Sequence, residues 1–203
     1  MCQAFLIFRQ AGRRAIPMDI RLNEETQDIM SPLGFLNAVW QVCNLRPGAG
    51  FFTAPVCSTW VFMFLSSNVH QSSLFSSGIY LLYTRKVSLP RSRGSTLRTK
   101  ARPLGRDDSE TVRMANVMVA RVCVLLMLCQ AKRVFWILEQ PVNSLLDCHP
   151  CFQALLRMPH VRAHRTSTSM QWFGGPTRKP TWLYASPSDA LAPQISPKIV
   201  KNS

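Results

Sequence analysis

Apolar positions along this chain fall into two kinds of run. Short runs rich in aromatic and branched residues, Phe51–Ala54 and Val134–Leu138, have the length of buried strands. Each gives way to a proline within a few residues, at Pro55 and Pro141, and proline cannot continue a central ladder. Stretches with helical spacing surround them. Ser31 and Pro32 supply an N-cap and a first-turn proline for a helix to about Leu45, ended by the Arg46-Pro47-Gly48 turn. Acidic residues at Asp107–Glu110 open a long helix to about Ala131, with Lys132 and Arg133 at its carboxyl end. A short helix is expected over Cys151–Arg157, then strands over Arg165–Trp172 and Thr181–Tyr184, separated by FGGPTRKP. Before these, residues 2–11 are helix-compatible up to Gly12, and AIPMDI (residues 15–20) has the pattern of a short strand ending near Asp19. Strands alternating with helices predict an α/β class, a Rossmann-like, doubly wound, mostly parallel sheet closed by a C-terminal antiparallel hairpin.

Composition narrows this picture. A chain of 203 residues with 47% apolar content suits one domain with a packed core. The longest apolar stretch, Val117–Cys129, is too short for a bilayer and contains Arg121, so a buried helix is expected and no membrane partner. The start, MCQAFLIFRQ, has too short an apolar run for a signal peptide, which points to an intracellular protein, nuclear or cytoplasmic. Seven cysteines, an odd number set mostly in apolar patterns, favour reduced thiols.

The formal charge is +14, from 24 Lys and Arg against 10 Asp and Glu. Eight basic residues and no acidic one lie between Arg85 and Arg106. Such a segment suits phosphate contacts, with Arg93, Arg98, Lys100 and Arg102 as the candidates, and it equally suits a solvated tether. Val61–Thr84 carries no Asp, Glu, Lys or Arg and follows neither a helical nor a strand period.

The two prolines each accompany a reactive side chain, Cys57 and Glu139. In open α/β sheets the turns beyond strand carboxyl ends line the ligand crevice, so this thiol and carboxylate are placed to meet one substrate. Each also has a bland reading: Cys57 as a small buried hydrophobe, Glu139 as a helix cap or an arginine partner. Cys148, Cys151, His160 and His164 form C-x2-C-x8-H-x3-H, a near match to a zinc-finger spacing, but the central gap is shorter than the usual run of about twelve. No metal is expected.

The order APVCSTW, ILEQP, MQWFGGPTRKPTWLYAS resembles cytosine C5 DNA methyltransferases, above all their divergent phage-like and algal versions. The likeness covers roughly residues 12–60 and 93–186. It implies an S-adenosylmethionine cofactor and a nucleic-acid partner, DNA in particular. Cys57 would add to carbon 6 of a flipped-out cytosine, so that carbon 5 becomes electron-rich enough to take a methyl group. Glu139 would hold the pyrimidine edge with a carboxyl able to donate a hydrogen bond. Asp19 would bind the cofactor ribose and Asp28 its adenine, Pro55 would belong to the cofactor-side turn, and Lys179 would join the nucleic-acid contacts.

The pattern also departs from that family. The family's opening strand and glycine-rich loop have no counterpart here, Val56 replaces the second proline of Pro-Pro-Cys, and 19 residues follow Tyr184, too few for a target-recognition region. Glu139 follows Cys57 by 82 positions, and Trp60-Val61 would join naturally to Arg93-Gly94, so an insertion is expected over residues 61–106. The expected layout is thus residues 1–60 and 107–186 as two parts of one domain, with a disordered tail over 187–203. Its expected function is a weak or inactive methyltransferase relative. The competing reading is a basic, non-enzymatic nucleic-acid-binding or interaction module on the same scaffold.

Overall fold

The computed structural model describes residues 12, 14–19, 22–55, 59–60, 98–169, 171 and 180–187. Among them four strands form one sheet, and four α-helices and a 3-10 turn accompany it. In chain order these are α1 (Glu24–Gln27), α2 (Pro32–Asn44), β1 (Gly50–Thr53), α3 (Glu110–Ala131), β2 (Phe135–Pro141), the 3-10 turn Leu145–Cys148, α4 (Pro150–Arg157), β3 (His164–Ser169) and β4 (Pro180–Ala185).

Each helix start has a chemical cause. The Ser31 hydroxyl accepts the Gly34 amide at 2.8 Å, with Pro32 in the first turn of α2. Gly34 is required there, because a Cβ would lie 2.0 Å from the Asp28 carbonyl oxygen. Asn23 caps α1 through the Thr26 amide, and His149 caps α4 by accepting the Cys151 amide at its Nδ1. Helix α3 begins at Glu110 behind Ser109, which makes no side-chain cap bond.

Helix α3 organises the core. Its buried residues, Val112, Ala115, Met118, Val119, Val122, Cys123, Leu125, Leu126 and Cys129, recur at helical spacing and all but Val112 belong to one hydrophobic cluster with Trp136 and Leu138 of β2. By length and apolarity this helix is able to cross a bilayer, but here it packs against α2, α4 and β2. Arg121 leaves the helix to donate to the carbonyls of Ile29 at 2.6 Å and Ser31 at 3.2 Å, tying α3 to the start of α2.

The coarse α/β class holds, and the sheet is mixed. Strand order is β1-β2-β4-β3; β1 and β2 pair in parallel, and both pairings of β4 are antiparallel. This corrects the expectation of a mostly parallel sheet among the described residues. Strands β1, β2 and β3 run in one direction, but β4 turns back and takes the place between β2 and β3. The antiparallel C-terminal hairpin is present as β3–β4.

Two local expectations also change. Residues 14–19 form no strand, although Met18 joins the core. Strand β2 runs on through Glu139 and Gln140 to Pro141, because β4 pairs with it along that whole length. Glu139 is therefore a strand residue rather than a turn residue, and Pro141 ends the strand, where its missing N–H is least costly. The expected helix over residues 2–11, most of the 61–106 insertion and the tail lie outside the described residues.

Candidate functional site

The parallel register of β1 and β2 sets Thr53 beside Leu138. Both strands thus leave the sheet in the same direction, and the chain after Thr53 emerges beside Glu139 and Gln140. Strand alternation then separates those two side chains. Trp136 and Leu138 face the α3 core, and Gln140 shares their side, buried at 1% exposure. Glu139 lies half-buried on the opposite face, paired in register with Leu183.

Gln140 joins the two chain segments. Its Nε2 donates to the Pro55 carbonyl at 2.9 Å, and its Oε1 accepts the Ser144 hydroxyl at 2.9 Å. Both hydrogen bonds are buried, so neither is exchanged for water at low cost. Ser144 Oγ in turn accepts the Leu146 amide at 3.2 Å, capping the 3-10 turn.

At Thr59 and Trp60 the chain is held again. The Trp60 carbonyl accepts the Leu145 amide at 2.7 Å, and the Trp60 ring, 1% exposed, is covered by the Arg98 guanidinium 3.5 Å from its centroid. The His149 ring meets Trp60 edge-on at 5.3 Å. Arg98 donates through Nε to Thr59 Oγ1 at 3.4 Å, through Nη1 to the Pro103 carbonyl at 2.8 Å and Asn116 Oδ1 at 2.7 Å, and through Nη2 to the Val112 carbonyl at 3.1 Å. Among the described residues no carboxylate pairs with it. Neutral oxygens and an aromatic face balance this buried cation.

Burial pushes the Arg98 guanidinium down to about 10, which leaves it charged at neutral pH. Burial, and then the nearby Arg98 charge, hold His149 down at about 4. A neutral ring whose Nδ1 accepts the Cys151 amide must carry its proton on Nε2. That buried nitrogen has no hydrogen-bond partner among the described residues.

The candidate residues separate accordingly. Cys57, Arg93 and Lys179 lie outside the described residues. Pro55 is buried, with its carbonyl engaged by Gln140. Asp19 is buried at 9% exposure, and its carbonyl closes a turn with the Leu22 amide at 2.8 Å. Asp28 accepts the Met30 amide through Oδ1 at 2.8 Å, so its carboxylate shapes the turn ahead of α2. Arg98 is internal, while Lys100 and Arg102 are exposed, Arg102 standing 3.8 Å from Asp107. The four residues of the zinc-like spacing are all described, and no group of three or more metal-ligating side chains is gathered among the described residues. The five described cysteines carry free thiols.

Sequence reasoning passed over Gln140, Trp60, His149 and Ser144. Gln140 sits directly after Glu139 with Ser144 four positions on, a pairing visible in the sequence. Nothing local marks Trp60 and His149 as partners, since they meet only through the fold. No protein family matches this chain, and neither does any curated protein or solved structure.

Proposed function

We propose that this chain is a relative of the S-adenosylmethionine-dependent methyltransferases acting on cytosine C5 in DNA, with a Rossmann-like scaffold whose sheet is incomplete. The observation that carries the proposal is the parallel pairing of β1 with β2, reinforced by the Gln140–Pro55 hydrogen bond. Pro55, two positions before Cys57 in the sequence, is joined in this way to the strand bearing Glu139 at the strand ends, where an open α/β sheet takes its ligand. In this reading the Cys57 thiolate adds to carbon 6 of the base, the ring electrons shift toward carbon 5, and the Glu139 carboxyl hydrogen-bonds the ring nitrogen.

Cofactor binding has weaker support. In this reading Asp19, buried at 9% exposure, would bind the cofactor ribose, and Asp28, whose Oδ1 accepts the Met30 amide, its adenine. Calorimetry of the folded chain with S-adenosylmethionine is the deciding measurement. Saturable heat with one site is expected, and no heat on folded protein would sink the enzymatic reading.

The second reading, a basic nucleic-acid-binding module, draws on exposed Lys100 and Arg102. It requires DNA affinity that falls steeply with salt and drops further in a Lys100→Ala, Arg102→Ala variant. A salt-independent interaction would contradict it.

A further inference from the structure

The three helix-to-strand connections, α2–β1, α3–β2 and α4–β3, meet at one edge of the molecule. Strands β1 and β2 start level, with Gly50 beside Phe135, and β3 runs in the same direction, so all three set out from this edge. Hydrogen bonds hold the connections together. The Gly48 amide donates to the Arg133 carbonyl at 2.9 Å, and Gln130 Nε2 donates to the His160 carbonyl at 2.9 Å. The connections carry Arg46, Lys132, Arg133 and Arg162, α4 ends on Arg157, and no acidic residue lies in any of them. The four arginines are exposed and Lys132 is half-buried, and none of the five is in an ion pair among the described residues.

Acidic groups gather at the opposite end. Asp28 precedes α2, and Asp107, Asp108 and Glu110 open α3, whose 22 residues span about 33 Å. There Arg102 and Arg106 find their partners, Asp107 and Asp108. Charge is thus separated along the helices. Three helix carboxyl ends also reach the basic edge, each bringing roughly half a negative charge, about 1.5 in all. Five full positive charges exceed that, so complementing the helix dipoles does not account for the patch.

The backbone at Arg133 points the same way. The Arg133 amide donates to the Gln130 carbonyl at 3.1 Å and the Val134 amide to the Cys129 carbonyl at 2.8 Å, the pair of bonds that closes a helix around a left-handed residue. Arg133 is that residue, with φ 54°, and among the described residues it is the only non-glycine residue with positive φ. An arginine is kept where the backbone favours glycine, which a requirement for its charge explains.

We propose that this edge binds the phosphate backbone of duplex nucleic acid through Arg46, Lys132, Arg133, Arg157 and Arg162. Four of the five are arginines, whose planar fork matches phosphate oxygens. Strands β1 and β3 are three strand spacings apart, which makes the edge about 14 Å wide, room for about four phosphates along one DNA strand. None of the exposed large hydrophobic residues lies in the three connections, so the edge lacks the apolar anchors of a lipid-binding surface. It lies opposite the strand ends that carry the candidate site, and it stands whether or not that site is catalytic. It is also distinct from Arg102, which stands by Asp107 at the far end of α3.

The test is fluorescence anisotropy of a labelled, mixed-sequence DNA duplex of about 20 base pairs with the full chain, between about 50 and 200 mM salt. Four to five phosphate contacts give an expected slope of log affinity against log salt of about −4. Arg46→Gln, Arg133→Gly and Arg162→Gln together should bring it to about −1.5 and weaken binding at least about a hundredfold at about 0.1 M salt. Arg133→Gly alone should weaken binding about five- to tenfold and yet raise the thermal unfolding midpoint, a pair of changes that a purely structural arginine would not give.

No binding by the wild type, or a slope that the triple variant leaves unmoved, overturns the inference. A fall in the unfolding midpoint with Arg133→Gly, or an unchanged DNA affinity, overturns the part assigned to that residue. If only the Lys100→Ala, Arg102→Ala variant weakens binding, the basic-module reading stands and this surface is overturned. Tighter binding to phosphatidylserine vesicles than to the duplex overturns the choice of partner, and the inference with it. Since the readout needs no cofactor, failure to bind S-adenosylmethionine and failure of this surface are separate results.

Discussion

Arg98 and Arg106 belong to the same basic stretch, yet they occupy opposite environments. Arg98 is 2% exposed and donates to four oxygens beneath Trp60. Arg106 pairs with Asp108 two residues away, with more than half of both side chains exposed. Between these extremes is Arg165, which bonds Asp147 at 2.6 Å and stacks over Trp182 at 4.3 Å with half of its side chain in solvent. The three residues contribute equally to net charge and very unequally to structure. What a basic residue does here is decided by how far water is excluded around it, because desolvation raises both the cost of the charge and the value of each bond it makes.

The largest expected effect is at Arg98. Arg98→Ala would leave Pro103 O, Val112 O and Asn116 Oδ1 without this donor and uncover the face of Trp60. Unsatisfied buried acceptors cost roughly 1–3 kcal/mol each and are not fully additive, so a loss of roughly 3–5 kcal/mol is expected. Denaturant unfolding checks this. A loss below about 1 kcal/mol would show that solvent replaces the guanidinium easily, and the contrast with Arg106 would collapse.

Next in size is a pH effect at the other edge of Trp60. His149 has a folded pKa of about 4 against 6.5 unfolded, so between these values the unfolded chain binds more protons. Its stabilising contribution is full above pH 6.5 and is lost as pH falls toward 4. The whole effect is at most roughly 3 kcal/mol. His149→Asn retains an N-cap for α4 and removes the titration, so it should flatten the acid limb of stability over this window. An unchanged acid limb would mean that the buried ring does not resist protonation.

Much of the scaffold was legible in the sequence. Ser31-Pro32 marked the start of α2, the long apolar repeat after Asp107 gave α3, and the two strand runs gave β1 and β2 in regular alternation. These signals are local, set by caps and periodicity. The insertion of β4 between β2 and β3 was not legible, because pairing partners are chosen across the chain and leave no local mark. The same limit explains the misread end of β2: a proline after an apolar run signals that a strand ends, but β4 carries the ladder through Glu139 and Gln140 to Pro141 itself. Beside the candidate site, strands β1 and β2 themselves could be anticipated, whereas Glu139 lies within β2 and not in a turn beyond it. The fastening by Gln140 and Arg98 could not, since a Gln beside a motif and an Arg in a charge run have no sequence feature that announces burial.

Asp147 supplies the intermediate test. Its carboxylate accepts from Arg165 and from the Tyr184 hydroxyl, joining the 3-10 turn to both strands of the hairpin. Burial, and then the bond to Asp147, hold the Tyr184 hydroxyl well above its usual pKa, so it remains a donor. Asp147→Asn keeps an acceptor but loses the charge. With half of Arg165 in solvent, the loss should be about 1 kcal/mol by denaturant unfolding. A loss as large as that of Arg98→Ala would show that burial does not rank these arginines.

The smallest expected effect is at Arg106, and it is the sharpest test of the ranking. Its bond to Asp108 is short, at 2.5 Å, and it raises the arginine pKa while lowering that of the aspartate, so distance alone would call it strong. Both side chains are nevertheless more than half exposed, and the two residues are close in sequence, so the unfolded chain keeps them near one another as well. Arg106→Ala should leave the unfolding midpoint unchanged at both low and high salt. A midpoint shift that disappears in high salt would mean that the surface charges act on stability through their collective field, and burial would then share control of the ranking with net charge.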